Sequence, residues 1–192
     1  MSVENSIKKL NLGCGAVKKP GYINIDIDPV FRPDIIHDLE TFPYPFQGDT
    51  FDRIEADHIL EHLGNAFGVV RELHRISKNN GTIVIKVPHF SRGFTHSEHK
   101  RGFDVTFAYY FTPSFTWGYQ GVELKLEKTT LHWFAQPYLK KTVLPKPAYY
   151  FSLAFGKILD ILANASPIVC SRIWCFWVGG FEEIEFIFRV TK

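Results

Sequence analysis

The sequence is poor in the features that mark several large classes of protein. Its 192 residues contain three cysteines and no Cys-x-x-Cys pair, so a disulfide framework is not expected and a reducing compartment is the simpler assumption. The net charge is only +2, and the basic residues occur in scattered pairs, which predicts no binding of nucleic acid. Neither a signal peptide nor a run of 18 uncharged apolar residues is present. We therefore expect a cytoplasmic protein.

Two nucleotide-binding motifs are also missing. No GxxxxGK[ST] loop is present, so nothing in the sequence would cradle a triphosphate. A dinucleotide fingerprint would place a third glycine where the chain has Lys18, and an acid about 20 residues further on. Asp26 comes much sooner than that. NAD and FAD are therefore poor fits.

The most informative segment that is present is Leu10-Asn11-Leu12-Gly13-Cys14-Gly15, followed by Ile23-Asn24-Ile25-Asp26. An apolar strand that breaks into a glycine turn allows backbone N–H groups to approach a ligand closely. A carboxylate at the end of the next strand can bind the hydroxyls of a ribose. This pair of features predicts an adenosine pocket.

Hydrophobic periodicity predicts strands that alternate with helices, which is typical of a doubly wound α/β sheet. The predicted strands are 9–12, 22–27, 34–37, 51–56 and 82–87, and, more loosely, 122–130 and 182–190. Helices are predicted over 58–63, 66–77 and 148–163. Asn79-Asn80-Gly81 is interpreted as the helix stop and tight turn before the fifth strand. At this length we expect one domain, residues 1–192.

Five segments, in the same order, resemble those of the class I S-adenosylmethionine-dependent methyltransferases, specifically the small type 11-like subgroup. These segments are LNLGCG, INIDID, HDLETFPYPFQGDTFDRI, EADHILEHLGN and RELHRISKNNGTIVIKVPHF. The resemblance implies a mostly parallel, seven-stranded, Rossmann-like sheet with an antiparallel C-terminal edge hairpin. The link from Gly15 to Ile23 is short for a parallel crossover. We therefore expect a first crossover helix reduced to about one turn, with Pro20-Gly21 making the bend.

The resemblance implies S-adenosyl-L-methionine as the cofactor, bound where ligands of open α/β sheets lie, at the carboxyl ends of the strands. Asp26 would bind the ribose, with Asp28 as an alternative; Asp38 and Leu39 would meet the adenine, although Asp38 could equally cap a turn. Cys14 is interpreted as a small side chain beneath the cofactor rather than a reactive thiol. The predicted cofactor residues are Asn11, Gly13, Cys14, Gly15, Asp26, Ile27, Asp38, Leu39, Asp57 and His58.

His58-Ile59-Leu60-Glu61-His62 also matches the HxxEH pattern of inverted zinc proteases. On a helix it would place two imidazoles one turn apart, and His89, His96 or His99 could supply a third ligand. In the family that the chain resembles, the sequence at this position is commonly LEH, which there is simply the start of a packed helix. We therefore predict no metal site.

The segment at about 89–117 combines charges with many aromatic residues and is predicted to be a substrate lid. If the methyl acceptor is a hydroxyl, a histidine could act as general base, and His89 and His99 are the candidates. A carboxylate or thiolate acceptor would need no base. Four further residues are predicted to bind substrate: His62, His96, Arg101 and Tyr109.

An apolar helical insertion is predicted at about 145–178. A helix that is hydrophobic on nearly every side is normally buried. Packing against the sheet, a homodimer face, and shallow contact with a membrane or a lipid-linked substrate are three alternatives.

The sequence thus predicts an S-adenosylmethionine-dependent methyltransferase with a small-molecule, glycan or lipid-linked acceptor. The alternative is a non-catalytic protein that keeps the adenosyl pocket as a ligand sensor or an interaction module. An aminopropyl transferase is disfavoured, because the predicted lid carries mostly cations where a diamine would need acids.

Overall fold

A computed structural model describes residues 7–93 and 96–192. Phe94 and Thr95, inside the segment predicted to be a lid, lie outside the described residues. The strands are β1 Lys9–Leu12, β2 Ile23–Asp26, β3 Ile35–Ile36, β4 Phe51–Asp57, β5 Ser77–Pro88, β6 Glu123–His132 and β7 Glu183–Thr191. They form one sheet in the order β3-β2-β1-β4-β5-β7-β6.

The strand directions confirm the predicted topology. Strands β1 to β5 are parallel, whereas β7 is antiparallel to both β5 and β6. The other predicted strand boundaries hold to within two residues, but β5 begins at Ser77 rather than Thr82. The carboxyl ends of the parallel strands therefore lie at one edge of the sheet, where the predicted cofactor residues follow them.

The segment predicted as a turn before β5 is a bulge inside it. Phe51 faces Ser77, and only two residues later Arg53 faces Thr82. The extra residues are accommodated by the left-handed backbone of Asn80, with φ 62°. The Asn-Asn-Gly sequence was interpreted as a helix stop and tight turn, but α1 already ends at Ile76 and β5 continues through residues 79–81.

The two faces of the sheet differ in chemistry, because alternate residues of a strand point to opposite faces. One face is hydrophobic and forms the core, with Leu10, Ile54, Ile85 and Phe186 completely buried. The other face, here called the polar face, carries hydrophilic side chains that the register sets side by side. Its members are Asn11, Asn24, Glu55, Asp57, Lys86, Lys128, Thr130, His132, Glu183 and Glu185.

The link from β1 to β2 leaves the polar face uncovered at this point. Residues 13–22 contain no helix. The first crossover helix was predicted to be shortened to about one turn, and here it is absent. The link is held by the polar face itself: the Asn11 side chain donates to Val17 O at 3.0 Å, and Lys19 N donates to the Asn24 side chain at 2.8 Å. The Lys19 side chain can therefore reach across the polar face.

Two helices of normal length are present among the described residues. Helix α1, Ala66–Ile76, begins at Asn65, whose side chain accepts from Gly68 N, and connects β4 to β5. The segment predicted as a helix over 58–63 contains only a single 3-10 turn, Leu60–His62. After a four-residue helix α2, Pro137–Lys140, the chain forms the long helix α3, Lys146–Ala165.

The second half of the predicted lid is part of the core. Val105–Phe111 is a 3-10 helix that starts at Asp104, whose carboxylate accepts from Thr106 N. The buried rings of Phe107 and Phe111 lie 5.9 and 6.0 Å from Phe186 and Phe188 of β7. These aromatic residues therefore pack on the hydrophobic face of the sheet.

The predicted apolar insertion continues after α3 through α4, Pro167–Val169, into helical turns that end at Val178. Within the residues that the structure describes, no single helix is long and apolar enough to cross a membrane. By length and composition alone, one bent pair of helical segments is: Lys146–Ala165 and Pro167–Val178, with a bend of 108° between them. Much of the insertion is exposed. We call its exposed hydrophobic residues the apolar surface: Tyr150, Phe151, Phe155, Ile158, Ile161, Leu162, Ile168, Val169, Ile173, Phe176 and Trp177.

Candidate functional site

A cleft of about 660 Å³ lies on the polar face, between the glycine turn after β1 and helix α3. Its volume is in the range of pockets that bind small molecules and cofactors. Five of the predicted cofactor residues line it: Asn11, Gly13, Cys14, Asp57 and His58. The rest of its wall includes Lys19, Lys86, Lys128, Thr130, His132, Phe134, Tyr138, Leu153, Lys157, Asp160, Glu183 and Glu185.

The glycine turn has a conformation that only glycine tolerates at Gly13. Its φ is +62°, and a Cβ atom there would lie 2.5 Å from Cγ1 of Ile59. At Gly15 nothing lies within 4 Å of such an atom, so the backbone is open on that side. The Gly15 N–H donates to Oδ2 of Asp26 at 2.7 Å, which links the turn to the end of β2. The turn therefore lies next to an acidic side chain at the end of β2.

The remaining predicted cofactor residues follow β2 and β3 along the same edge of the sheet but do not line the cleft. Asp26 is buried, and its second oxygen accepts from Asp28 N at 3.0 Å. Ile27 is 61% exposed beside it. Asp38 caps its own turn by accepting from Glu40 N, which is the alternative role considered from the sequence, and Leu39 is buried.

Opposite charges meet at the glycine-turn end of the cleft. The Lys19 ammonium lies 2.6 Å from Glu55 and 2.7 Å from Asp57. Burial raises the pKa of the Glu55 carboxyl, but its hydrogen bonds to Lys19, Arg53 and Tyr22 outweigh that effect and bring it to about 2. The other Asp57 oxygen, Oδ1, is buried with no hydrogen-bond partner among the described residues. At this end of the cleft an ion-paired ammonium group therefore lies beside a carboxylate that has one unpaired oxygen.

His58 is held between two carboxylates. Its Nε2 lies 2.6 Å from Glu183 and its Nδ1 3.2 Å from Glu61. A carboxylate only accepts, so both ring nitrogens donate. Burial lowers the pKa of His58, but the hydrogen bonds to Glu183 and Glu61 raise it further, to about 9. His58 is therefore a fixed imidazolium at neutral pH and contributes positive charge to the cleft wall.

His132 is a cleft residue that the sequence analysis missed. It ends β6 and lies on the polar face, with Nδ1 3.6 Å from Asp160 of α3 and Nε2 3.8 Å from Glu183. The contact with Asp160 raises its pKa, burial opposes this, and Glu183 adds to the rise. Its side chain is 33% exposed, so it is accessible to a ligand. The sequence signal was the spacing Lys128, Thr130, His132, which places all three on one face of a strand.

Comparison with solved structures identifies the fold. No protein-family model and no curated protein matches the chain. Among solved structures, it is similar over 97% of its length to a protein described as a sarcosine dimethylglycine methyltransferase from Galdieria sulphuraria, with 17% identity, TM-score 0.59 and 78% of that chain covered. A SAM-dependent methyltransferase from Archaeoglobus fulgidus gives TM-score 0.55 and 14% identity over 96% of this chain and 86% of that one.

The chain has the fold of the class I S-adenosylmethionine-dependent methyltransferases. At these identities the likeness establishes the fold alone. The [4+2]-cyclase SpnF is similar to the same extent, with TM-score 0.54 and 14% identity over 98% of this chain and 77% of that one. The methyltransferase fold therefore does not by itself decide the reaction.

In this methyltransferase fold, neither predicted general base lines the cleft. His89 is completely buried, with its ring nitrogens 2.7 Å from Ser91 Oγ and 2.9 Å from Ser171 Oγ. Burial lowers its pKa to about 4. Because both nitrogens are occupied and no surface is exposed, the geometry argues against His89 as a base. The role we expect for it is to join β5 to the helical turns at Ser171.

Three other predicted residues come together beside the cleft rather than in it. His62 lies 5.0 Å from His99 and 6.0 Å from His96 between ring centroids. We call these residues and the adjacent Glu61 the histidine cluster. Arg101 lies near it and donates to Gly64 O at 2.6 Å.

Tyr109 lies away from this region. It lines a separate pocket with Glu123 and Thr191, which are at the amino-terminal edge of the parallel strands. That edge is opposite to the glycine turn, so the structure does not bring Tyr109 to the cleft.

Proposed function

We propose that the protein is an S-adenosylmethionine-dependent methyltransferase whose cofactor lies over the glycine turn, with its methionine end in the cleft. The observation that carries this is the charge pattern beside Gly13: the cofactor's methionine end has an ammonium and a carboxylate, and the cleft has the unpaired Oδ1 of Asp57 and the ammonium of Lys19. At the end of β2, Asp26 would bind the ribose and the exposed Ile27 would contact the adenine. When bound, the cofactor supplies an electrophilic methyl group.

The chain's own residues would position an acceptor at the other end of the cleft. Holding the two reactants in near-attack contact can contribute about 7 to 11 kcal/mol to catalysis. For a hydroxyl acceptor, His132 is the histidine we assign as general base, since it is accessible and Asp160 orients it. This replaces His89 and His99 in that role.

Isothermal titration with S-adenosylmethionine, S-adenosylhomocysteine and NAD tests the proposal. We expect the first two to bind and NAD not to bind. Asp57→Asn should weaken binding about tenfold or more, as expected for removing a charged hydrogen-bond acceptor. Asp49→Asn, at an acid that is 66% exposed and outside the cleft, is the matched control. Tighter binding of NAD, or equal binding by both variants, would overturn the assignment.

The competing function is a ligand sensor or interaction module that binds the cofactor without turnover. Release of S-adenosylhomocysteine in the presence of a broad acceptor panel separates the two. An enzyme should release it with at least one acceptor, and this release should fall in His132→Gln. A sensor would bind the cofactor and release none.

We further propose that the apolar surface docks on an anionic lipid bilayer and that the acceptor is lipid-linked. The exposed residues of the insertion are almost all hydrophobic or cationic. Across residues 128–181 the sequence has Lys128, Lys140, Lys141, Lys146, Lys157 and Arg172 against a single acid, Asp160. Amphipathic helices with hydrophobic and basic residues bind anionic membrane interfaces in this way.

This charge pattern favours a membrane over a second copy of the chain. Lys140 and Arg172 are paired with Glu182 and Asp104 within the chain. In a homodimer through the apolar surface, the exposed cations Lys141, Lys146 and Lys157 of the two copies would repel one another, and segment 128–181 has only the partly exposed Asp160 to offset them. Helix α3 also joins the two regions: Leu153, Lys157 and Asp160 line the cleft, while Ile158 and Ile161 are exposed. A docked protein would present the cleft at the lipid interface.

Co-sedimentation with phosphatidylglycerol and phosphatidylcholine vesicles tests this docking. We expect binding to the anionic vesicles that weakens with added salt. Ile161→Glu should reduce it at least tenfold. Trp117→Glu, at a residue that is 92% exposed and outside the apolar surface, should not reduce it. No vesicle binding, or a dimer in sedimentation velocity that Ile161→Glu dissociates, would overturn the proposal.

A further inference from the structure

The histidine cluster has the composition and arrangement of a metal site. Glu61, His62 and His99 each offer one possible ligand atom, and these atoms lie within 4.8 Å of one another. Two imidazoles and a carboxylate are a known ligand set of zinc. In a tetrahedral zinc site neighbouring ligand atoms are about 3.3 Å apart, given metal–ligand distances of about 2.0–2.1 Å. Small side-chain movements would therefore close the site.

Glu61 provides an independent indication of a missing cation. The residue is completely buried, and its Oε2 has no hydrogen-bond partner among the described residues. A buried carboxylate oxygen without a hydrogen bond is unfavourable. Its other oxygen, Oε1, already accepts from His58 Nδ1. Oε2 is therefore the carboxylate oxygen that a bound cation would stabilise.

The hydrogen bonds of His99 and His62 leave nitrogen atoms available for a metal. His99 Nδ1 lies 2.6 Å from Gly93 O, and because a carbonyl only accepts, Nδ1 must carry the proton. In the neutral ring its Nε2, which lies 3.9 Å from Glu61 Oε1, has a free lone pair. Donation of the second ring N–H to a backbone carbonyl is the usual outer-shell arrangement of metal-bound histidines. The His62 ring contacts the rings of His96 and His99. Its backbone N–H donates to Ile59 O, but its ring nitrogens have no hydrogen bond within the described part of the chain.

We propose that Glu61, His62 and His99 bind one zinc ion, with His58 as the outer-shell donor that orients Glu61. This reverses the prediction from the sequence, which considered the HxxEH pattern and expected no metal. That pattern pairs His58 with His62 as ligands on a helix, whereas the chain here forms a 3-10 turn, Leu60–His62. The ligand pair is instead His62 and His99, from different segments.

The position of the site indicates a structural role. His99 belongs to the predicted lid, and Glu61 and His62 to the turn after β4. The two segments already meet through Lys100 N, which donates to Glu61 O at 2.8 Å. A zinc ion would fix the start of the lid to the turn that also holds His58 in the cleft wall. The proposal does not depend on the methyltransferase assignment.

Metal content and Co²⁺ spectroscopy on the purified full chain test the site. The protein is treated with chelator, reloaded with zinc and analysed for bound metal, and Co²⁺ substitution should give the visible absorption of a four-coordinate site. We expect about one ion per chain, lost on Glu61→Gln and on His62→Ala, and binding at least tenfold weaker in His99→Ala.

The controls keep the outcome decisive. His37→Ala removes a histidine outside the cluster and should leave metal binding unchanged. Glu61→Gln is nearly isosteric, and circular dichroism of each variant shows whether it is folded. Absence of zinc binding by the wild type beyond a nonspecific background would overturn the proposal, as would full binding by a folded Glu61→Gln, His62→Ala double variant.

Discussion

At the residue scale, the histidines show how much of a site depends on contacts that the sequence does not display. His89 and His132 both follow strands and looked alike from the sequence alone. The fold buries His89 between Ser91 and Ser171 and leaves His132 open to the cleft. The partner Ser171 could not be identified from spacing, because it lies 82 residues away from His89 in the sequence.

His89 predicts a specific dependence of stability on pH. Its pKa is about 4 in the folded chain and about 6.5 when unfolded, so the unfolded chain binds more protons between these values. The stability from the neutral ring is complete above pH 6.5 and is lost as the pH falls toward 4, by up to about 3 kcal/mol. Urea unfolding at pH 7, 5.5 and 4.5 should show this loss, with a smaller change in His89→Gln. An unchanged pH dependence in that variant, compared with the surface control His74→Gln, would contradict the assignment.

The pKa of His132 is shifted in the opposite direction to that of His89. The contact with Asp160 raises its pKa, so the ring should stay protonated above the usual value near 6.5. In proton NMR titrations, the His132 resonance is assigned by its loss in His132→Gln. The midpoint of its titration should move to lower pH in Asp160→Asn. The Asn side chain can still accept from Trp133 N, which preserves the helix contact. A titration that is identical in both proteins would rule out Asp160 as its partner.

At the scale of elements, the strands were predictable because their hydrophobic pattern is local. What surrounds each strand was not predictable, because it depends on the strand register. The alternation in Phe51–Asp57 and Glu183–Thr191 is typical of strands with one polar face. Its consequence, a cleft on that face, needed the register that sets Asp57, Lys86 and Glu185 in one row. Residues 58–63 were predicted as a helix from periodicity, but only one 3-10 turn forms. The left-handed backbone of His58, with φ 51°, interrupts the chain there.

Helix α3 protects the edge strand β6, and this predicts a sensitive residue. Asn164 accepts from Leu131 N at 2.7 Å and donates to Leu131 O at 2.9 Å, as a neighbouring strand would. Leu131 is completely buried, so Asn164→Leu leaves both groups without partners and should cost roughly 2–4 kcal/mol. Chemical denaturation measures the loss. Ile158→Ala, at a 57% exposed position of the same helix, should change stability by less than about 0.5 kcal/mol.

At the scale of the whole molecule, the chain separates its hydrophobic and polar chemistry more strongly than its composition suggests. The core lies on one face of the sheet, the cleft on the other, and the apolar surface beyond the edge strand. A net charge of +2 conceals this division, because the cationic segment 128–181 is offset by acids elsewhere. The order of the motifs was enough to predict the sheet. The exposure of the insertion could not be predicted, since the same apolar pattern is normally buried.

This separation of the two faces predicts which backbone amides cofactor binding will protect from hydrogen exchange. With no helix over the link between β1 and β2, the amides of residues 13–22 should exchange faster than those of α1 in the free protein, although the Gly15 and Lys19 amides donate to the Asp26 and Asn24 side chains. Hydrogen exchange with S-adenosylhomocysteine should slow residues 13–22 and the turn after Asp57, while α1 and Val105–Phe111 stay unchanged. Asp57→Asn should remove most of this protection, and Asp49→Asn should keep it. Protection at residues 108–126, around the pocket of Tyr109, would instead place the ligand at the opposite edge of the sheet and refute the proposed site.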